Sequence, residues 1–557
     1  MKKFLATAAA ATLAATSLLG CGGGSKDIVA ESGKKNITVA VGGNFANPDP
    51  AIVDDSITAN VLNQCYDGLF SLDKDGNVQA ELAAEIPTKE NGGVSADGLT
   101  YTIKLKDGLT WSNGEALTAD QFVWSWKRAM TTQGYYTNFM YNYIEGTMGS
   151  DGLPFTTMEQ LDGMGVKALD DKTIEIKLTK AADYYPSILT NTVFYPVYQP
   201  QVTGDISSSV WTKNASAETP LVTSGAFEIV AVDVEASITL DKNEKYREAD
   251  KVQLETIEFK VMDDADAQTQ AFQTGQIDFA TSVNVDTILN DENLASYAYI
   301  IDPFVCNYYM LMNAGDENDG SNDGLKAMKD VEIRQAISMA INRDAVRTAF
   351  GYGDDFSYNL YGLVPTGIPG ASDDFRKEGG NLAKDDVEAA KAIMEKKGYS
   401  ADNMLKLEYK FNNLATHKNA AEAMQDALKE IYIDLSLNGE DKEAFFEERD
   451  AGKFECCRHA MPADYLDPDA YLSMYVGKTT SGNTVDDATY EQLVNEGNSL
   501  SGEARMQKLH EAEKYLVENA YVVPLFGYTD PNLAVKNLKG ITSSPEGHYN
   551  LKFAYFE

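Results

Sequence analysis

Residues Asp97–Arg128 read DGLTYTIKLKDGLTWSNGEALTADQFVWSWKR. In the first part of this stretch, Tyr101, Ile103 and Leu105 alternate with polar residues. Such alternation predicts a β-strand with one buried face. Asp107-Gly108 is a turn dipeptide, and a second short strand follows it. The first half of the stretch therefore predicts a strand, a turn and a second short strand.

The second half of the stretch predicts a capped helix. Asn113-Gly114 forms a tight turn, and Thr118 is of the residue type that caps a helix amino terminus. Phe122, Val123 and Trp126 then recur at helical spacing, which predicts the buried face of that helix. Together the two halves predict an α/β unit.

This stretch closely resembles the signature of the family 5 extracellular solute-binding proteins, the peptide, dipeptide and nickel receptors of ABC importers. Further stretches carry the same resemblance: TSGAF at 223–227, LDKNEKY at 240–246, AFQTGQIDF at 271–279 and DVEIRQAISMAINRDAV at 330–346. The last of these predicts one helix. The likeness runs from about residue 37 to the carboxyl terminus, and it is strongest to the oligopeptide-binding proteins.

The resemblance implies an α/β, two-lobed periplasmic-binding-protein-like (type II) fold with an extra α/β domain on the first lobe. The predicted bounds are 36–66, 199–305 and 530–557 for lobe I, 67–198 for the extra domain and 306–529 for lobe II. Length agrees with this division, because 557 residues exceed what one hydrophobic core usually serves. The ligand is expected between the lobes, which close by a hinge motion.

The amino terminus has the features of a lipoprotein signal peptide. Two lysines precede Phe4–Leu19, which is almost wholly apolar or small. LLGC at 18–21 matches the lipobox of bacterial lipoproteins, so residues 1–20 are predicted to be removed and Cys21 to carry the lipid. Residues 21–35, which include Gly22-Gly23-Gly24-Ser25, would form a flexible tether. The alternative is a buried amino-terminal helix.

Composition favours an acidic, soluble body on a membrane anchor. No later apolar run is long enough to span a bilayer. The net charge is −38, which argues against nucleic acid or anionic lipid as a partner. We expect a monomer, lipid-anchored to the cell membrane and facing outward, with neither cofactor nor metal.

The other cysteines are Cys65, Cys306, Cys456 and Cys457, and none forms a zinc-type pair of pairs. A bridge from Cys306 to Cys456 or Cys457 is one possibility.

Two acidic segments invite comparison with cation-binding loops. Asp73–Asn77 has its glycine too early for an EF-hand, which favours a hairpin turn. Gly315–Gly324 is either a solvated insertion or a cation site.

Motifs of catalysis are missing from the sequence. It has no G-x-S-x-G, no H-E-x-x-H and no P-loop. The four histidines are far apart in sequence: His417, His459, His510 and His548. We therefore predict a binding protein without turnover. A surface hydrolase remains the enzyme alternative.

Cys457–Tyr471, CRHAMPADYLDPDAY, combines charge and spacing in a way that suits a short peptide. Arg458 stands six residues before Asp464. Pro462 lies between them and excludes a helix interior. Six extended residues span roughly 20 Å, about the length of a zwitterionic peptide. The alternative is a surface arginine and a surface aspartate in a loop.

The resemblance assigns roles to these charges. Asp464 matches the aspartate that takes the peptide ammonium in the oligopeptide-binding proteins, and Arg458 matches an arginine that reaches the carboxylate end. His417, in Thr416-His417-Lys418, matches a second carboxylate contact. His417 could instead only flank the following helix.

Further cleft positions carry over from the same resemblance. Asp54 matches an acidic residue that meets the first peptide residues, with Ser56 close by. Tyr136 matches a cleft tyrosine of the extra domain, and Tyr528 one near the last lobe crossing. Each of these could instead be ordinary packing.

The sequence departs from the family pattern between the arginine and the aspartate. Met461 and Pro462 stand where well-studied members carry a tryptophan and a cysteine. Met461 is adaptable, so a peptide side-chain pocket would change. The loss of the cysteine removes the family's bridge partner for Cys306.

The sequence as a whole predicts a lipid-anchored extracytoplasmic receptor that binds oligopeptides between two closing lobes and delivers them to an ABC transporter permease. The same fold could take a dipeptide, a nickel chelate, haem or an oligosaccharide. A surface peptide sensor or adhesin is an alternative from another class.

Overall fold

The structure is a computed structural model that describes residues 27–315, 318–477 and 485–557. The predicted signal peptide and Cys21 lie outside the described residues. So do the first residues of the predicted tether and two residues of the acidic loop.

The first lobe is built on a seven-stranded mixed sheet. In spatial order its strands are Ala298–Tyr299, Asn532–Ala534, Phe279–Ala280, Asn36–Val41, Thr256–Val261, Ser237–Lys242 and Phe227–Asp233. Asn36–Val41 is central and runs parallel to both neighbours. The last two strands pair as an antiparallel hairpin.

The second lobe is built on a six-stranded sheet. Its strands, in spatial order, are Ser357–Asn359, Val522–Tyr528, Cys306–Met312, Cys456–Pro462, Leu405–Asn412 and Ile433–Glu440. Every residue of Cys306–Met312 is buried, because helices and loops cover both faces of this central strand.

A smaller α/β unit contains the signature stretch, residues 97–128. Its sheet is formed by Thr100–Lys104, Thr173–Lys177 and Val166–Asp170. The small hairpin Phe70–Leu72 and Val78–Ala80 adjoins it. The bounds that the sequence predicts for the three units stay a prediction.

The first strand and the helix of the signature stretch form as predicted. The predicted second strand is reduced to an isolated bridge between Thr110 and Ala116, and Thr100–Lys104 pairs with Thr173–Lys177. Helix Ala119–Thr132 begins at Thr118, whose side chain forms a capping box with Gln121. Trp126 is fully buried, and its indole Nε1 donates to the carbonyl oxygen of Phe194 at 2.8 Å. The apolar face of this helix therefore forms the core of the extra unit.

A buried ion pair fastens the signature helix to the first lobe. Arg128 donates to both carboxylate oxygens of Asp49, at 2.9 and 2.5 Å, and both side chains are 0% exposed. The indole of Trp211 also donates to Asp49, at 3.1 Å. The three groups satisfy one another where no water reaches them.

Ten described helices have eight residues or more: Ser56–Cys65, Ala119–Thr132, Ala265–Gln273, Val331–Ala340, Arg343–Phe350, Val387–Lys396, Ala415–Lys429, Lys442–Asp450, Ala488–Asn498 and Gly502–Glu518. The single helix predicted over 330–346 is wrong, since the chain forms two. Asn342 caps the second by accepting from the amide of Ala345 at 2.9 Å, which ends the first helix before it.

The cysteine prediction is also wrong. All four described cysteines are free and buried. In the antiparallel register Cys306 faces Pro462, whereas Cys456 faces Met312 at the far end of the same ladder. Six residues of a strand span roughly 20 Å, so the two cysteines are well beyond the reach of a disulfide.

Asp73–Asn77 is the predicted hairpin turn, in which Asp73 accepts from the amide of Asn77 at 2.9 Å.

Candidate functional site

A cavity of about 510 Å³ lies where the two lobes and the extra unit meet. Asp54 and Ser56 line it from the first lobe, Tyr136 from the extra unit and Asp464 from the second lobe. Behind it, Tyr465 of the second lobe stacks on Tyr184 of the extra unit at 5.7 Å between ring centroids. Four sequence-predicted residues thus line one cavity.

Asp464 is the desolvated anion of this cavity. It follows the strand Cys456–Pro462, and the hydroxyl of Tyr136 donates to its Oδ1 at 3.1 Å. Burial raises the pKa of Asp464 to about 6, and the Tyr136 hydrogen bond partly offsets that rise. A carboxylate held in this way is stabilised by a cation that enters the cavity.

Asp54 and Ser56 stand at the start of helix Ser56–Cys65. Asp55 caps that helix by accepting from the amide of Thr58 at 2.7 Å, which leaves Asp54 directed to the cavity lining. Burial, together with the neighbouring Asp55, raises the pKa of Asp54. Asp54 and Asp464 therefore make the cavity acidic from two sides.

A self-neutralising ion network lines another part of the cavity. Lys552 contacts Asp67 at 2.5 Å and Glu81 at 3.3 Å. Arg247 pairs with the same two carboxylates. The sequence analysis missed this network, because its four members come from distant segments and no local pattern marks them.

Glu546 and His548 are two more lining residues that the sequence analysis did not identify as site residues. Both stand near the tip of the hairpin formed by Thr542–Ser543 and Tyr549–Asn550. Burial and the nearby Asp464 raise the pKa of Glu546 well above its usual range. Burial lowers the pKa of His548 to about 4, so its imidazole is neutral at neutral pH.

The other predicted charge, Arg458, lies outside the lining of this cavity. It is 8% exposed, and its Nε donates to Oδ1 of Asn412 at 2.5 Å. Its guanidinium sits 5.6 Å from the ring of Phe445 and 6.0 Å from that of Tyr308. Within the described part of the chain it has no carboxylate partner. A buried guanidinium in this state can accept an anionic group.

His417 and Tyr528 lie beside Arg458, around the ring of Tyr308. The centroid distances from Tyr308 are 5.6 Å to His417 and 6.4 Å to Tyr528. Burial and the neighbouring Arg458 lower the pKa of His417 to about 3. At neutral pH His417 can therefore offer an anion a hydrogen bond and no charge.

Met461 is separated from both groups. Its amide donates to Oδ1 of Asn307 at 3.1 Å, and its side chain, 8% exposed, packs in the apolar core beside the extra unit. The predicted site residues thus form two groups. The cavity group is Asp54, Ser56, Tyr136 and Asp464, and the Tyr308 group is Arg458, His417 and Tyr528.

The strand Cys456–Pro462 connects the two groups, since Arg458 lies within it and Asp464 follows it. Six residues of extended chain separate opposite charges by roughly 20 Å. The arrangement can hold an elongated molecule with a cationic and an anionic end.

The family model of the bacterial extracellular solute-binding proteins, family 5, matches residues 77–483. The chain belongs to this family. The resemblance and the two-lobed fold predicted from the sequence are therefore confirmed. Members of family 5 are solute-binding receptors.

This family 5 protein is similar over nearly its whole length to named relatives. It is 26% identical to the oligopeptide-binding protein OppA of Bacillus subtilis over 96% of this chain and 95% of that protein. It is 27% identical to the dipeptide-binding protein DppE of the same species, over 95% and 94%. The structure of Listeria monocytogenes OppA bound to peptide superimposes with a TM-score of 0.72 at 24% identity, covering 94% of this chain and 99% of the other.

In the described ranges, no helix combines the length and the apolar character that crossing a bilayer requires.

Across the same ranges, no set of three or more histidine, cysteine, aspartate or glutamate side chains is arranged to hold a metal ion.

Proposed function

We propose that this family 5 protein is a lipid-anchored extracytoplasmic receptor that binds oligopeptides between its lobes and delivers them to an ABC transporter permease. Its relatives include proteins named for oligopeptides and for dipeptides. The observation that carries the proposal is a pair of charges on one extended segment: Asp464, whose pKa burial raises, and buried Arg458, which has no carboxylate partner among the described residues.

Physical chemistry explains why these groups suit peptides of varied sequence. All peptides share an ammonium, a carboxylate and a backbone. In the proposal Asp464 takes the ammonium, and Arg458, with the neutral His417 beside it, takes the carboxylate. Closure of the lobes excludes water, which strengthens both ion pairs. The backbone between them can be held by strand-like hydrogen bonds.

The direct test is to identify what the protein binds. Ligand that co-purifies with the protein would be released by denaturation and identified by mass spectrometry, and calorimetry would then use di- to pentapeptides. Peptides should be recovered and should rebind. Recovery of a nickel chelate, haem or a sugar, with no heat from peptides, would contradict the proposal.

Peptide affinity should fall as the pH is lowered through about 6. The raised pKa means that Asp464 of the free protein gains a proton below that value. An ammonium binds only the ionised form, so the association constant should drop about tenfold per pH unit below 6 and level off above it. Calorimetry of trialanine between pH 4.5 and 7.5 measures this effect.

The control for the pH experiment is Asp464→Asn. Tyr136 and Glu546 also face this carboxylate, and neither is changed in that variant. A pH profile that is identical in wild type and variant would show that Asp464 is not the titrating group.

Cys21→Ser should release the protein from the membrane. Only the thiol accepts the diacylglyceryl group, and without acyl chains the tether has nothing to insert into the bilayer. Detergent partitioning and intact-mass measurement of both forms test this expectation. A serine variant that still carries acyl mass would contradict the lipid-anchor proposal.

A further inference from the structure

Glu546 is a cavity residue, and one oxygen of its carboxyl group lacks a hydrogen-bond donor among the described residues. Its Oε1 is shielded from solvent and has no hydrogen-bond partner among the described residues. It lines the same cavity as Asp464. Leaving a buried carboxylate oxygen without a hydrogen-bond donor costs free energy. We therefore expect the ligand to supply that donor.

The other cavity charges do not supply that donor. Arg247 and Lys552 are already paired with Asp67 and Glu81. Lys106 donates to two backbone carbonyls, at 2.6 and 3.1 Å. A peptide ammonium bound at Asp464 would still leave the carboxylate of Glu546 without a positively charged partner.

We propose that Glu546 is a specificity-determining residue that receives a positively charged side chain from the first residue of the ligand. The favoured substrates are then peptides that begin with lysine, ornithine or arginine. This inference rests on the proposed function, because it needs the peptide ammonium at Asp464.

The inference also predicts that peptides with a cationic and with a neutral first side chain release different numbers of protons when they bind. Burial and the proximity of Asp464 raise the pKa of Glu546, so in the free protein its carboxyl group tends to hold a proton. A cationic side chain favours the ionised form and expels that proton. A neutral side chain of the same length leaves it in place.

The experiment compares two tripeptides that differ in one charge, Lys-Ala-Ala and norleucine-Ala-Ala, with Ala-Ala-Lys as a positional control. We expect wild type to bind the lysine-first peptide at least tenfold more tightly than the norleucine peptide. In Glu546→Gln this preference should shrink to less than about twofold. Ala-Ala-Lys should gain nothing over trialanine.

Glu332→Gln is the matched control variant. Its carboxylate lies outside the cavity lining and contacts Lys396 and Lys397, each at 2.7 Å, so this substitution removes the same charge from a satisfied group. The ratio of the two affinities should stay at its wild-type value. Thermal unfolding of each variant verifies that it is folded.

Calorimetry in buffers of different ionisation enthalpy adds a measurement on wild type alone. Binding of Lys-Ala-Ala should release more protons near pH 7 than binding of norleucine-Ala-Ala. This readout stands even if Glu546→Gln does not fold.

The outcomes separate the inference from the proposed function. Equal affinities and equal proton release for the two peptides in wild type would overturn the role of Glu546 while peptide binding itself stands. Equal weakening of both peptides in Glu546→Gln would also overturn it. If none of the peptides binds, the proposed function fails as well.

Discussion

Replacing Asp464 with asparagine should weaken the binding of peptides with a free amino terminus by about thirtyfold to several thousandfold. An exposed ion pair contributes at most about 1 kcal/mol. Removing one partner of a buried, hydrogen-bonded pair costs about 2–5 kcal/mol, because the other charge is left without compensation. Asp464 is in the second situation, since burial raises its pKa and Tyr136 donates to it.

An N-acetylated peptide provides the control for this variant. It lacks the ammonium, so it should bind wild type poorly and lose little more in Asp464→Asn. Calorimetry of both proteins with both peptides forms a double-mutant cycle. A coupling energy below about 0.5 kcal/mol would contradict the assignment of Asp464 to the peptide ammonium.

Arg128→Met should lower the free energy of unfolding by about 3–5 kcal/mol, the usual cost of removing one partner of a buried ion pair. Asp49 and Arg128 are both fully buried, so the variant leaves a carboxylate without its bidentate partner. The indole of Trp211 and the backbone amide of Ala51 would remain as its hydrogen-bond donors. Denaturant unfolding followed by tryptophan fluorescence measures the loss.

Two control experiments test whether the unpaired carboxylate of Asp49 causes that loss of stability. Lys172→Met removes an ion pair with Asp107 that is largely exposed, and it should change stability little. The double variant Arg128→Met with Asp49→Leu removes both charges and should recover much of the loss. If the double variant is less stable than Arg128→Met, packing rather than the stranded charge would be responsible.

Local patterns predicted much of the fold. The signature stretch carries its own strand alternation and helix cap, so its first strand and its helix follow from neighbouring residues, whereas the partner of that strand, Thr173–Lys177, is distant in the sequence. The helix predicted over 330–346 failed for an equally local reason. Its apolar spacing continues past Ile341, but the side chain of Asn342 hydrogen-bonds the backbone and starts a new helix there.

The candidate site was only partly predictable. Asp464 and Arg458 stand on one segment, so their spacing is visible in the sequence. Glu546 comes into the cavity from a distant hairpin, and Arg247 and Lys552 join carboxylates far away in the chain. No local sequence pattern indicates that such distant residues come into contact. The neutral state of His417 likewise depends on burial and on Arg458, which only the packed structure shows.

The order of strands in the two sheets has a consequence for how the protein is made. All strands of the second-lobe sheet lie between Cys306 and Tyr528, whereas the first-lobe sheet needs Asn532–Ala534 between two strands that precede residue 300. Contacts between such distant segments form late, because a long loop must close first. A chain that emerges amino terminus first can therefore fold its second lobe while the first is still missing a strand. The cavity, which residues of the first lobe and of the segment 542–553 help to line, is complete only after these late segments have joined the first lobe.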